Sequence, residues 1–320
     1  MKMLAIINFI ICLIIVLVLM PKFIDYLKQQ SFKQTVSEYA LEDDKKKAGT
    51  PIMGGILFII VPIICSFIVR PSMIKDLEAI IVMLAFLGYG LIGFWDDYLI
   101  SIKKNNDGLS PKAKLLSQII LAAIFFFIYR NNADLSLKFP LLNKTVNLGI
   151  LYFVLVLFMF AGSSNAVNLT DGMDGLSSGV VIIALIPFLV ITIMQEKFNL
   201  VILIMGLIGA LLGYLYYNKK PAKVFMGDTG ALALGGILAA LAMVTKKELP
   251  LILIAGVPVI ETLCVMLQIL AVKTIHKRIF TYTPIHYAFR IKGMPEKSIV
   301  YMFYMAEIVF AILGLLVALR

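Results

Sequence analysis

Three short stretches carry carboxylates where long apolar runs begin or end. They are Phe94-Trp95-Asp96-Asp97-Tyr98, Asn168-Leu169-Thr170-Asp171-Gly172-Met173-Asp174-Gly175-Leu176 and Phe225-Met226-Gly227-Asp228-Thr229-Gly230. Acids so close to a bilayer are costly unless they are wet, paired or on a metal. Glycine after Asp171 and after Asp174 lets the backbone turn tightly and approach a ligand closely. Asp96 and Asp97 cannot share one helix face, because consecutive residues point about 100° apart. One can hold a cation while the other accepts a proton or orients the helix end. A solvated acidic pair at a helix C-terminus is the plain alternative, but there the helix dipole opposes it. Asp228 falls near the start of an apolar run, where free amides attract anions. It can cap that helix or hold a divalent cation beside bound phosphate. Magnesium is the expected ion, since it prefers oxygen ligands and shares its shell with substrate phosphates.

Bases accompany the acids. Lys103 and Lys104 read as flanking charge, whereas Lys114, at the start of the next apolar run, suits a phosphate-bearing substrate. Lys45-Lys46-Lys47-Ala48-Gly49-Thr50-Pro51-Ile52-Met53-Gly54-Gly55 could close around a phosphate, although it lacks the Gly-Lys-Ser/Thr core of a Walker A motif. Lys45 and Lys46 also fit a headgroup anchor. Of the two histidines, His276 sits in a basic run and reads as solvated. His286 follows Pro284, which fixes the local backbone and helps aim a side chain. Acids, a candidate magnesium site, lysines and glycine turns at one membrane surface are the equipment for phosphoryl chemistry on a membrane-held substrate. A carrier would place its charges near the midplane, where Glu261 and Gln268 are the polar candidates.

The elements that must position these groups are membrane spans. Of 320 residues 61% are hydrophobic and 15% charged, against about 25% charge in a soluble domain. The chain is predicted to be one all-α polytopic membrane domain over 1–320, without a soluble domain long enough to fold alone. A span needs roughly 20 apolar residues. Ten candidates follow: about 3–24, 52–69, 78–95, 115–130, 148–167, 175–194, 199–217, 229–245, 249–272 and 299–319. The first reads as a retained span rather than a signal peptide, because no small-residue cleavage site follows it. The ninth contains Pro258 and Glu261 and is expected to kink. Residues 131–147 alternate and can turn, which fits a short β-hairpin on the outer surface. The loops 21–51, 96–114, 168–174, 218–228 and 273–298 hold 19 of the 29 Lys and Arg. The positive-inside rule puts them in the cytoplasm and both termini outside. The net charge of +10 therefore reads as headgroup-facing, with no call for nucleic acid. Cys12, Cys65 and Cys264 lie inside apolar runs and read as small hydrophobes rather than a disulfide or zinc set.

Five stretches taken in order resemble one family. They are Lys47-Ala48-Gly49-Thr50-Pro51-Ile52-Met53-Gly54-Gly55, Phe94-Trp95-Asp96-Asp97, the 168–176 stretch, Phe225-Met226-Gly227-Asp228-Thr229-Gly230 and Pro284-Ile285-His286. Their order and spacing over essentially the whole chain are similar to the phospho-N-acetylmuramoyl-pentapeptide transferases, within the polyprenyl-phosphate N-acetylhexosamine-1-phosphate transferase superfamily. The resemblance implies transfer of phospho-MurNAc-pentapeptide from UDP-MurNAc-pentapeptide to undecaprenyl phosphate in the bacterial cell membrane, giving lipid I and UMP, with Mg2+ required. It implies that Asp228 binds magnesium and that Asp96 and Asp97 belong to the catalytic centre, with Asp97 the candidate for handling the lipid phosphate or its proton. It further implies that His286 contacts substrate phosphate, that Lys114 lies near the reaction, and that Lys47, Asn168, Asp171, Gly172, Asp174, Asn218 and Phe225 surround the uridine and diphosphate. Families of this kind commonly form homodimers.

The chain also departs from the family pattern. Where the family usually has three consecutive histidines, then Phe and Glu, this sequence reads His286-Tyr287-Ala288-Phe289-Arg290, and Ile52 replaces a usual Thr. Two other readings stay open at this level. One is a related transferase moving GlcNAc-1-phosphate to the same lipid. The other is a transporter or lipid-binding scaffold without catalysis, which would have no need of Asp228.

Overall fold

The structure, a computed structural model, describes residues 2–30, 32, 47, 49–103, 108–132 and 134–320. Lys45, Lys46 and Lys104 lie outside the described residues. The chain order is α1 (Lys2–Gln29), α2 (Gly55–Val69), a 3-10 turn (Pro71–Lys75), α3 (Leu77–Lys103), α4 (Pro111–Tyr129), β1 (Ser136–Phe139), β2 (Lys144–Asn147), α5 (Leu151–Thr170), α6 (Leu176–Met194), α7 (Phe198–Asn218), α8 (Gly227–Thr245), α9 (Leu251–Ile254), α10 (Gly256–Ile275), α11 (Ile285–Ile291) and α12 (Glu296–Ala318). Among the described residues nine helices are long and apolar enough to cross a membrane. The second candidate, about 52–69, is α2, which has only 15 residues, rising ~22 Å at the usual pitch. It begins only at Gly55 because the residues before it pair with the backbone of Phe225, through Phe225 N–H to Pro51 O (2.8 Å) and Gly54 N–H to Phe225 O (2.9 Å).

Two further boundaries differ from the sequence reading. The α3 helix does not stop at Asp96 but runs about two turns on to Lys103, because both acids find partners and need no exit to water. The expected kink in the ninth candidate is a full break at Ala255, between α9 and α10. There the Val257 N–H is taken by the Glu307 carboxylate of α12 at 2.8 Å.

The bundle is organised on α8. Its Gly- and Ala-rich sequence lets neighbours approach to backbone distance, the usual device for helix packing in lipid, and every residue from Thr229 to Thr245 is buried. α3 and α5 flank it, and the α3–α8 pair is the most extensive contact in the molecule. Tyr89 of α3 lies flat against Phe160 of α5 (centroids 5.6 Å) and donates to Gln118 O of α4 at 2.7 Å. α1 packs on α7, where Asn8 bridges to Ser66 Oγ (3.0 Å) and Ile202 O (2.9 Å). Apolar side chains such as Ile10, Ile14, Phe158, Leu263 and Ile312 cover the exterior. All three cysteines are free and buried.

Alternation of the helices puts the C-terminal parts of α3, α5 and α7 and the N-termini of α4, α6, α8 and α12 at one end. The hairpin lies at the other end, between α4 and α5. Its strands pair antiparallel, Ser136 opposite Asn147 and Phe139 opposite Lys144, within the stretch where the sequence suggested one. That end is closed by ion pairs, Lys197 with Glu78 (2.5 Å) and Lys246 with Glu248 (2.8 Å).

Candidate active site

The paired acids of α3 look in opposite directions, as their helical spacing requires. Asp97 is 4% exposed and reaches the N-terminus of α8. Its Oδ1 accepts the Asp228 N–H (3.0 Å), and its Oδ2 accepts the Thr229 N–H (2.9 Å) and the Thr229 hydroxyl (2.6 Å). A carboxylate at the positive end of a helix dipole is favoured, and here the capping acid comes from a different helix. The approach demands glycine on the other side. Gly227 has φ +69°, and a Cβ there would stand 2.3 Å from Asp97 Oδ2. Asp96 turns instead toward α4. Its Oδ1 accepts the Leu109 N–H at 2.6 Å, and its Oδ2 lies 3.5 Å from Lys114 Nζ.

Lys114 is held by a short helix start. Ser110 caps α4 by accepting the Ala113 N–H (3.2 Å), with Pro111 in the first turn. The ammonium bonds the Asp228 carboxylate as well as facing Asp96. Two carboxylate oxygens, Asp96 Oδ2 and Asp228 Oδ2, thus converge on one cation. Asp228 is the more open of the two, with its side chain 21% exposed.

Across the site, His286 is wholly buried in the first turn of α11. Its Nδ1 is 3.0 Å from Glu261 Oε1, and the same carboxylate accepts the Ile285 N–H (2.7 Å) and the His286 N–H (3.3 Å). A carboxylate on Nδ1 selects the tautomer with the proton there. Nε2 has no hydrogen-bond partner among the described residues. It faces the Asp171-Gly172 turn so closely that a Cβ on Gly172 would stand 2.2 Å from it. Tyr287 adds a second tie, its hydroxyl donating to Gly172 O at 3.1 Å.

The 168–176 stretch links the last turn of α5 to α6. Asn168 is half-buried in that last turn. Burial, together with the charges of Asp97 and Asp174 and in spite of Lys47, pushes the Asp171 carboxyl up to about 7. Asp174 is buried. Its Oδ1 meets Lys47 Nζ at 2.7 Å, and its Oδ2 accepts the Ala222 N–H at 3.0 Å. Burial works against the Lys47 ammonium, but Asp174 and Glu296 outweigh it and hold its pKa above the ordinary lysine value.

The predicted residues therefore gather at one end of the bundle, though not all in the expected posture. Asn218 engages its amide within the protein, accepting the Gly175 N–H (3.1 Å) and the Ser178 hydroxyl (3.1 Å) and donating to Val224 O (3.0 Å). It clasps the 175 turn to the segment leading into α8. The amides of Gly54 and Gly55 go to Phe225 O and Met226 O (2.9 and 3.2 Å), so this glycine pair seats a chain segment instead of wrapping a phosphate. Phe225 is half-buried beside it. His276 is exposed and Gln268 is tied to the 279–280 backbone, as befits residues outside the site.

Three residues of the site were not legible. Glu261 read as a midplane polar candidate, Thr229 lay within the 225–230 stretch without a role of its own, and Glu296 lay in the 273–298 loop without any reading. Only Glu261 carried a signal, an acid inside an apolar run, and its partner lies 25 residues away.

Residues 79–246 match the family described as glycosyl transferase family 4. Over 305 residues the sequence is 43% identical to the phospho-N-acetylmuramoyl-pentapeptide-transferase of Bacillus subtilis (strain 168), covering 94% of each chain. The enzyme of the same name from Bacillus anthracis (strain A0248) is 43% identical over 307 residues and 95% of each chain. The chain belongs to the phospho-N-acetylmuramoyl-pentapeptide transferase family. For a member of glycosyl transferase family 4 the reach of each match is informative. The region 79–246 takes in Asp96, Asp97, Lys114, the 168–176 turn and Asp228, but ends before Glu261 and His286. The pentapeptide transferases match over nearly the full length and so take in the histidine loop as well.

The donor set suits the divalent cation that this family implies. Magnesium is commonly held by one or two carboxylates, with waters and substrate phosphate completing its shell, and Asp96 Oδ2 with Asp228 Oδ2 offers such a pair around the Lys114 ammonium. Among the described residues no group of three His, Cys, Asp or Glu converges as a preformed metal cage.

Proposed function

We propose that this chain transfers phospho-MurNAc-pentapeptide from UDP-MurNAc-pentapeptide to undecaprenyl phosphate, releasing UMP. The observation that carries the reading is the convergence of Asp96 and Asp228 on Lys114 at the N-terminus of α8, with the buried Nε2 of His286, unpartnered among the described residues, at the neighbouring turn. Acceptor phosphate and donor diphosphate are both anions, so bringing them together needs fixed positive charge. Lys114 supplies a positioned ammonium, while the Asp228 and Thr229 amides of α8 are already taken by Asp97. Asp228, with Asp96 beside it, would hold Mg2+, which when bound neutralises charge on the diphosphate. Asp97 keeps Asp228 in place by capping α8. His286, fixed through Nδ1, presents Nε2 to substrate phosphate, accepting a hydrogen bond when neutral and donating one when protonated. Lys47, Asp171, Gly172 and Asp174 line the nucleotide end, with Asn218 holding their turn, Asn168 at its start and Phe225 available to stack on a base.

The site end is the basic end of the bundle, which supports a cytoplasmic active site. With α2 counted as a crossing there are ten, and both termini lie outside with the hairpin. Surface apolar side chains on α10 and α12 leave room for lipid or for a second copy of the chain. Purified protein supplied with UDP-MurNAc-pentapeptide, undecaprenyl phosphate and magnesium is expected to release UMP. Release from UDP-GlcNAc in its place would overturn the muramoyl assignment in favour of a GlcNAc-1-phosphate transferase.

A further inference from the structure

Glu296 is the first residue of α12 and follows Pro295. An acid there ordinarily favours its own helix dipole in water. This one is 4% exposed and its bonds lead to other segments. Oε1 is 2.9 Å from Lys47 Nζ and accepts the Asp174 N–H at 3.0 Å, while Oε2 is 2.5 Å from Lys220 Nζ. Lys47, in turn, is shared with Asp174 Oδ1 at 2.7 Å. Two ammonium groups and two carboxylates therefore close into one cluster that joins the 47–55 segment, the 168–176 turn, the segment between α7 and α8, and α12. A buried carboxylate is tolerated only when it is compensated in this way, and removing it would take from Lys47 one of its carboxylate partners.

We infer that Glu296 is a positioning residue for the nucleotide end of the cleft, fixing the Lys47 ammonium and the Asp174 turn in the geometry that receives the UDP portion of the donor. The inference rests on the transferase reading above. A long lysine in a turn loses rotamer freedom when it engages a ligand, and a partner that has already fixed it lowers that loss. Such an effect is equal in ground and transition state. It changes donor binding and KM but leaves kcat alone. The acceptor lipid carries no nucleotide, so its KM is independent of Glu296.

The test compares wild type with Glu296→Gln and Glu296→Asp in the UMP-release assay, with UMP binding measured separately by calorimetry. Loss of one charge-assisted pair is expected to raise the KM for UDP-MurNAc-pentapeptide and the Kd for UMP about tenfold in E296Q. The kcat and the KM for undecaprenyl phosphate stay within about twofold, and E296D, which keeps the charge, recovers part of the loss. Should E296Q fail to fold, Lys220→Met on the more exposed arm is expected to raise the donor KM and the UMP Kd by about threefold. Unchanged donor KM and UMP affinity in a folded variant would overturn the inference. So would a fall in kcat with KM unchanged, or an equal rise in both KM values. Absence of turnover by wild type with the muramoyl donor would instead overturn the transferase reading.

Discussion

Asp97→Asn tests how the two adjacent acids divide their work. In the structure Asp97 accepts three hydrogen bonds from the first turn of α8 and has no oxygen turned to the open site. Asparagine keeps the shape and one acceptor, but its amide nitrogen must replace either Oδ1 facing the Asp228 N–H or Oδ2 facing Thr229. A buried donor left facing another donor costs about 1–3 kcal/mol. Loss of charge at the helix N-terminus removes about 1 kcal/mol more, and the remaining bonds lose their charge assistance. The sum is about 3 kcal/mol, located on the turn that carries Asp228. The expected result is a melting midpoint lowered by several degrees in detergent, together with a higher magnesium concentration for half-maximal UMP release. The two changes should appear together, because both follow from a loosened α8 terminus. A variant that loses turnover entirely while keeping the wild-type melting midpoint would refute this reasoning and return Asp97 to the chemistry itself.

Asp228→Asn is expected to abolish UMP release, by on the order of 10³-fold or more, while the protein still inserts and binds UMP. Near-normal activity would remove it from the cation site. Glu261→Gln, which weakens the hold on His286 Nδ1, is expected to lower turnover about 10- to 100-fold with donor KM little changed; a wild-type rate would show that the imidazole needs no orienting. The Asp171 carboxyl, pushed up to about 7 from the ordinary 3.8, retains its proton in the folded protein at pH values where the unfolded chain has lost it. Its contribution is full below about 4 and is lost as pH rises through about 7. The melting midpoint of Asp171→Asn minus that of wild type, measured without substrate, should therefore grow between about pH 4 and about pH 7 and level off above, and a pH-independent difference would contradict this.

The spans were legible because a helix in lipid must hide its backbone and show apolar side chains along its length, and no other pattern does both. What sequence could not supply was the partner of each polar group. Asp96-Asp97 ended an apolar run and so read as a helix terminus, yet the donors that let α3 continue stand 13 residues away at Leu109 and 131–132 residues away at Asp228 and Thr229. The Gly54-Gly55 pair read as a phosphate wrap because free glycine amides are common in such wraps. The structure gives those amides to Phe225 and Met226. Asn218 was expected around the uridine and diphosphate by resemblance alone, and the structure engages its amide with Gly175, Ser178 and Val224. Site membership thus followed from residue type and position along the membrane, while individual roles depended on contacts between distant segments.

The glycine seam between α3 and α8 has a bearing on inhibition. A Cβ on Gly93 would stand 2.0 Å from the Asp228 carbonyl oxygen, and one on Gly227 would strike Asp97. Residues beside Asp97 and Asp228, which the proposed reaction relies on, are thereby the same ones that let the two helices meet. A compound contacting this seam would offer the organism little room for escape, since a change that dislodged the compound would also part the helices. A compound reaching outward to Lys220 or Tyr287 meets side chains that lie off the α3–α8 contact, bonded to Glu296 and to Gly172 O. Resistance should accordingly gather at that rim, and the seam should stay silent under selection.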